Sequence, residues 1–157
     1  MNKYIQQYEE IVKELVNKSF PKLKEKKIII EEKDAWYRAK VEHKPRRFKI
    51  IMATKLRKFP RASRRRILIH ELCHLEIFTE QSWLWTYFEF ILYYLILPKI
   101  GIKKMAIKME KESNVLMIKK GYGKLVLATC KRHKKRKLPY SLTEKEIKYL
   151  TEQYPQI

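Results

Sequence analysis

His70, Glu71, Leu72, Cys73 and His74 form an H-E-x-x-H run inside a helical apolar pattern. Two imidazoles and a carboxylate at that spacing are the outline of a zinc-hydrolase site. Residues four apart share a helix face, so both imidazoles can reach one metal ion. Glu71 lies beside them, where it can hold a water at the metal and take its proton, as a metallopeptidase general base does. Ile67, Leu68 and Ile69 before the run, and Leu75, Ile77 and Phe78 after it, predict a buried helix. Two His and two Glu (Glu71, Glu76) inside such a helix are costly without a metal or partners. The competing reading is of ordinary polar positions on a half-exposed helix.

A catalytic zinc needs a third protein ligand and an open position for water. Glu110 is the first candidate. It lies in a second helical pattern from about Lys103 to Lys120, stopped by Gly121-Tyr122-Gly123. Glu110 and Asn114 share a face of that helix, so Glu110 can bind zinc while Asn114 makes a hydrogen bond that orients a ligand imidazole. Glu112 and His133 remain as alternatives, and a solvated side chain is the ordinary use of Glu in so charged a helix.

These residues resemble a family. H-E-x-x-H, then E-x-x-x-D, then Gly-Tyr is the pattern of gluzincin metallopeptidases of the CAAX prenyl protease and HtpX type, whose single-domain relatives are the minigluzincins. The matching residues are His70, Glu71, His74, Glu110 and Gly121-Tyr122, with Asn114 standing where the family has Asp. The motifs span the central third of the chain. The resemblance implies a helix, a small sheet and two motif helices, with the strand Phe48 to Ala53 as the sheet edge beside the cleft. An edge strand can bind an extended peptide by adding it to the sheet. It also implies a C-terminal segment, here 124–157, that blocks the active site within one chain or between two and makes the protein a zymogen; the competing reading is a closing helix that completes the core.

The order of elements can be read independently. Tyr4, Ile5, Tyr8, Ile11, Val12, Leu15 and Val16 recur at helical spacing, predicting an opening helix that ends near Pro21. Lys27 to Glu31, Ala35 to Glu42 and Phe48 to Ala53 are short β-branched or aromatic runs separated by turn residues, predicting three strands. Pro60 and Ser63 open the motif helix, and Ser141-Leu142-Thr143-Glu144 reads as a capping box for a closing helix. The fold class expected is therefore α+β: an N-terminal helix, a small three-stranded sheet, the H-E-x-x-H and glutamate helices, and C-terminal helices. With 157 residues, 45% hydrophobic, and no repeat, Gly/Ser linker or low-complexity tract, one domain over 1–157 is expected.

The stretch 82–102 is strongly apolar and aromatic, but its uninterrupted part, Trp83 to Leu97, is shorter than a bilayer span and carries Glu89. A single crossing would also separate His70 and His74 from Glu110. A buried or partner-covered helix is expected, as a homodimer interface or a peripheral membrane contact; the family's membrane relatives insert segments at this point. The start Met1-Asn2-Lys3-Tyr4 leads straight into a charged helix without a signal core, predicting a reducing, cytoplasmic location. Cys73 and Cys130 fit free buried thiols rather than a disulfide framework.

Thirty-seven Lys and Arg against seventeen acids give a net charge of +20. Lys55 to Arg66 and Lys131 to Lys137 are the densest blocks, and such a surface attracts anions. The alternative function is therefore a nucleic-acid-binding module or a DNA-linked protease of the SprT type. Against it, the chain lacks that type's downstream His and CxxC pairs, and its aromatics do not alternate with the basic blocks. Enrichment in Lys, Ile and Glu with scarce Gly also fits a thermophile's solvated surface. The sequence predicts a zinc peptidase holding one Zn2+ per chain through His70, His74 and Glu110, with Glu71 as catalytic base and a peptide or protein as substrate. Tyr122 and His133 are candidate oxyanion donors.

Overall fold

The computed structural model describes residues 2–44, 47–80, 100–136 and 141–156. The fold is α+β, and its contacts cluster into two compact units, Met1–Glu80 and Gln81–Ile157.

The first unit opens with α1 (Lys3–Ser19), whose amino end is capped by the Asn2 side chain accepting from the Tyr4 amide. Its apolar positions recur every three or four residues, so Tyr8, Ile11, Val12, Leu15 and Val16 fall on one buried face. That face packs against β1 and against the motif helix α2 (Arg61–Glu80). Three strands follow: β1 (Ile28–Lys33), β2 (Ala39–Lys44) and β3 (Arg47–Ala53). Their order in the sheet is β1-β3-β2, with β1 parallel and β2 antiparallel to β3.

Strand β3 is thus the centre of the sheet, which corrects the expectation that Phe48 to Ala53 forms its edge. The reason is visible in burial: Ile50, Ile51, Met52 and Ala53 are all fully buried in succession. A strand covered on both faces loses the in-out alternation of an edge strand. Strand β2 also begins at Ala39 rather than Ala35, because Trp36 to Arg38 form a bend in which Trp36 is 91% exposed. A short 3-10 turn, Thr54–Lys58, leads from β3 toward α2, where the Pro60 carbonyl accepts from the Ser63 and Arg64 amides and opens the helix.

Much of the basic charge before the motif is used inside this unit. The Arg64 guanidinium is buried, donates to Gln7 Oε1 at 3.0 Å and lies over the rings of Tyr4 and Tyr8. Arg65 pairs with Glu14 at 2.7 Å, and Arg57 pairs with Glu32 at 2.8 Å.

The second unit contains α3 (Ile100–Met117), a π turn (Ile118–Tyr122), α4 (Gly123–Lys135) and α5 (Glu144–Gln153). The chain turns sharply at Gly121, whose φ of 83° lies in the left-handed region. Gly123 then lets α4 approach α5: a Cβ there would sit 2.4 Å from Thr151 Oγ1. Replacing Gly123 with Ala is expected to cost about 1–3 kcal/mol of stability through overpacking, measured by denaturant unfolding. Arg132, His133, Lys134 and Lys135 occupy the last turn of α4, where cations are favoured by the unpaired carbonyls. Part of the second basic block therefore serves its own helix.

The closing helix is capped at Thr143, two residues later than Ser141. Thr143 accepts from the Glu146 amide, and the Glu146 carboxylate accepts from the Thr143 amide at 2.7 Å. Thr143-x-x-Glu146 prevails because it places apolar Leu142 just before the cap and Ile147 one turn inside, and both are buried. The Thr143 amide and hydroxyl hold the Glu146 carboxyl below its ordinary value. A depressed carboxyl stabilises the fold above the unfolded pKa and loses that contribution as pH falls through the folded one. Thr143→Ala is accordingly expected to cost about 1 kcal/mol near neutrality and less in acid, read by urea unfolding across pH.

Most of the stretch 82–102 lies outside the described residues, and only its last three belong to α3. No helix among the described residues is long and apolar enough to cross a membrane.

Candidate metal centre

The motif helix places its two imidazoles as their spacing dictates. His70 and His74 stand one turn apart with their Nε2 atoms 3.1 Å from each other, the rings crossing at 88°. Two nitrogens bound to one tetrahedral zinc at about 2.0–2.1 Å lie roughly 3.3 Å apart, close to the separation of this pair. Two neutral imidazoles could also share a single hydrogen bond at this distance, one ring donating and the other accepting. Glu110, the expected third donor, stands on α3 in the second unit. Two imidazole nitrogens and one carboxylate oxygen are a donor set that suits zinc and leaves a fourth position open.

Burial grades across the group. His74 is buried, His70 half-buried and Glu110 exposed. Glu71 is only 7% exposed although it carries a carboxylate, which suits a base that must work in a partly dry site. Glu112 and His133, the other candidates for third ligand, are each half-buried.

Asn114 is buried on α3, and its amide donates to the Glu110 main-chain carbonyl at 2.8 Å and to Ser141 Oγ at 2.9 Å. It thereby ties the turn carrying Glu110 to the segment before α5. Ser141, read from sequence as a cap, instead receives this amide. Nothing in the residue pattern signals the pairing, because the partners are 27 positions apart. Tyr122 is 7% exposed and follows Gly121 directly.

Both thiols are buried and neither is in a disulfide. The Cys130 thiol donates to the Leu142 carbonyl, and burial pushes it above the ordinary thiol value. It is therefore kept protonated and engaged, unlike a metal-binding thiolate.

Comparison with family models, with curated proteins and with solved structures found no match to this chain.

Proposed function

We propose that this protein is a zinc-dependent peptidase of the gluzincin kind, with His70, His74 and Glu110 as metal ligands and Glu71 as general base. The observation that carries this reading is the pair of imidazole nitrogens 3.1 Å apart on one helix, with a buried glutamate next to the first of them in the chain. Zinc held by these residues would supply Lewis acidity, making a water acidic and polarising the scissile carbonyl. Glu71 would accept a proton from the attacking water and pass it to the amine as the carbon–nitrogen bond breaks. Asn114 contributes indirectly, by fixing the helical turn that presents Glu110.

The sheet order revises how an extended substrate would be held. Strand β3 has a neighbour on each side, so strand addition is available at β1 or β2.

The net charge of +20 favours a second reading, a nucleic-acid-binding module. The internal use of Arg57, Arg64 and Arg65 weighs against it. The deciding experiment incubates the zinc-loaded chain with casein and, separately, with labelled DNA and RNA over a range of salt. Casein cleavage supports the peptidase; salt-sensitive nucleic-acid binding without cleavage supports the module.

The implied zymogen state concerns residues 124–157. Leu142 and Ile147 are core residues of their unit, so deleting the segment would remove part of its core. Latency is better tested by substitution at the exposed Tyr149 on α5, with higher casein cleavage as the outcome expected of an inhibitory contact.

A further inference from the structure

One end of the sheet gathers aromatic and cationic side chains that the proposed peptidase chemistry does not use. Because β1 and β3 run parallel and β2 antiparallel, the last residues of β1 and β3 and the first of β2 meet at the same end. Lys33 is in register with Ala53, Ala39 pairs with Met52, and the Ala53 amide donates to the Arg38 carbonyl at 2.8 Å. The bend before β2 projects Trp36 from this end with 91% of its surface exposed. The Trp36 ring meets Tyr37 edge-on at 5.9 Å, and Lys55 Nζ donates to the Trp36 carbonyl. Phe59, at the end of the 3-10 turn, is 40% exposed. Lys33, Arg38, Lys55 and Lys58, on the segments that end, begin or follow the strands here, are exposed cations, and Asp34 is an exposed acid next to Lys33.

We propose that this sheet end is a membrane-docking tip, in which Trp36 and Phe59 enter the headgroup region of an anionic bilayer while Arg38, Lys55 and Lys58 contact lipid phosphates and carboxylates. Leaving a Trp almost wholly in water forgoes one of the largest burial gains a side chain offers. An amphipathic ring of this kind is suited to the bilayer interface. The flanking cations supply charge complementarity to an anionic leaflet. The shape favours a bilayer over a nucleic-acid strand. Strand binding needs a basic groove with successive stacking platforms, whereas here the rings stand on a bend and a turn end. The polar face of the sheet carries Glu31 and Glu42, already paired with Lys49 and Lys40.

The test is co-sedimentation of the full chain with vesicles of phosphatidylcholine alone or with about one-third phosphatidylserine. Binding to the anionic vesicles is expected, weakened by salt, with Arg38→Ala and Lys58→Ala each lowering the partition coefficient about fivefold. Trp36→Ala should lower it at least as much while leaving the unfolding curve unchanged, since its ring is almost entirely outside the fold. Undiminished vesicle binding by Trp36→Ala would place any contact elsewhere, in the stretch 82–102 for example, and overturn the proposal. Equal binding to neutral vesicles, or a Trp36→Ala effect confined to single-stranded oligonucleotide binding, would overturn it as well.

Discussion

Glu71→Gln is expected to lower casein cleavage by roughly 10^2–10^4-fold while zinc content stays at that of the parent chain. Glutamine keeps the size and most of the shape of the side chain but cannot accept and return a proton. Glu71 lies between the two imidazoles in the motif and is not one of the proposed ligands, so its replacement should leave zinc binding in place. The two readouts separate general base from ligand. Loss of both zinc and activity would make Glu71 a ligand or a structural residue, and retained activity would remove it from the mechanism.

The second large effect concerns the metal. His70→Ala or His74→Ala should take zinc from about one per chain to a small fraction, because the remaining two donors cannot hold it against solvent. Linkage gives an independent readout: a ligand present at a thousandfold over its dissociation constant stabilises the fold by about 4 kcal/mol. Chelation should therefore lower the melting temperature of the parent chain and leave that of either His variant unchanged. Glu110→Ala should behave like the His variants, whereas Glu112→Ala and His133→Ala should retain zinc. Unchanged zinc in both His variants would dissolve the site altogether.

The elements of this fold were largely legible because their signals are local. Tyr8, Ile11, Val12, Leu15 and Val16 announce α1 by periodicity, and the i, i+4 spacing of His70 and His74 is enough to bring their nitrogens together on one helix. What sequence spacing could not decide was which third donor accompanies them. Glu110, Glu112 and His133 were all open, and the choice depends on tertiary placement.

Strand order was misread for a related reason. Hydrophobic pattern assigns a strand to a sheet but does not say which neighbours it takes. The clue was present in the unbroken run Ile50-Ile51-Met52-Ala53, which fits a strand covered on both faces. At the closing helix, Ser141-x-x-Glu144 and Thr143-x-x-Glu146 are equally good capping boxes on paper. The flanking pair Leu142 and Ile147 decides between them, since only the second box places both at the stapling positions. The tie between Asn114 and Ser141 had no local signal at all.

The most direct measurement is zinc K-edge X-ray absorption on the purified chain, which reads donor types and distances around the metal. Two imidazoles and light oxygen donors at about 2.0–2.2 Å are expected, with the oxygen shell diminished in Glu110→Ala. A sulfur shell near 2.3 Å would instead recruit Cys73 or Cys130, and, like a chain that takes up no zinc, would contradict the assignment of His70, His74 and Glu110.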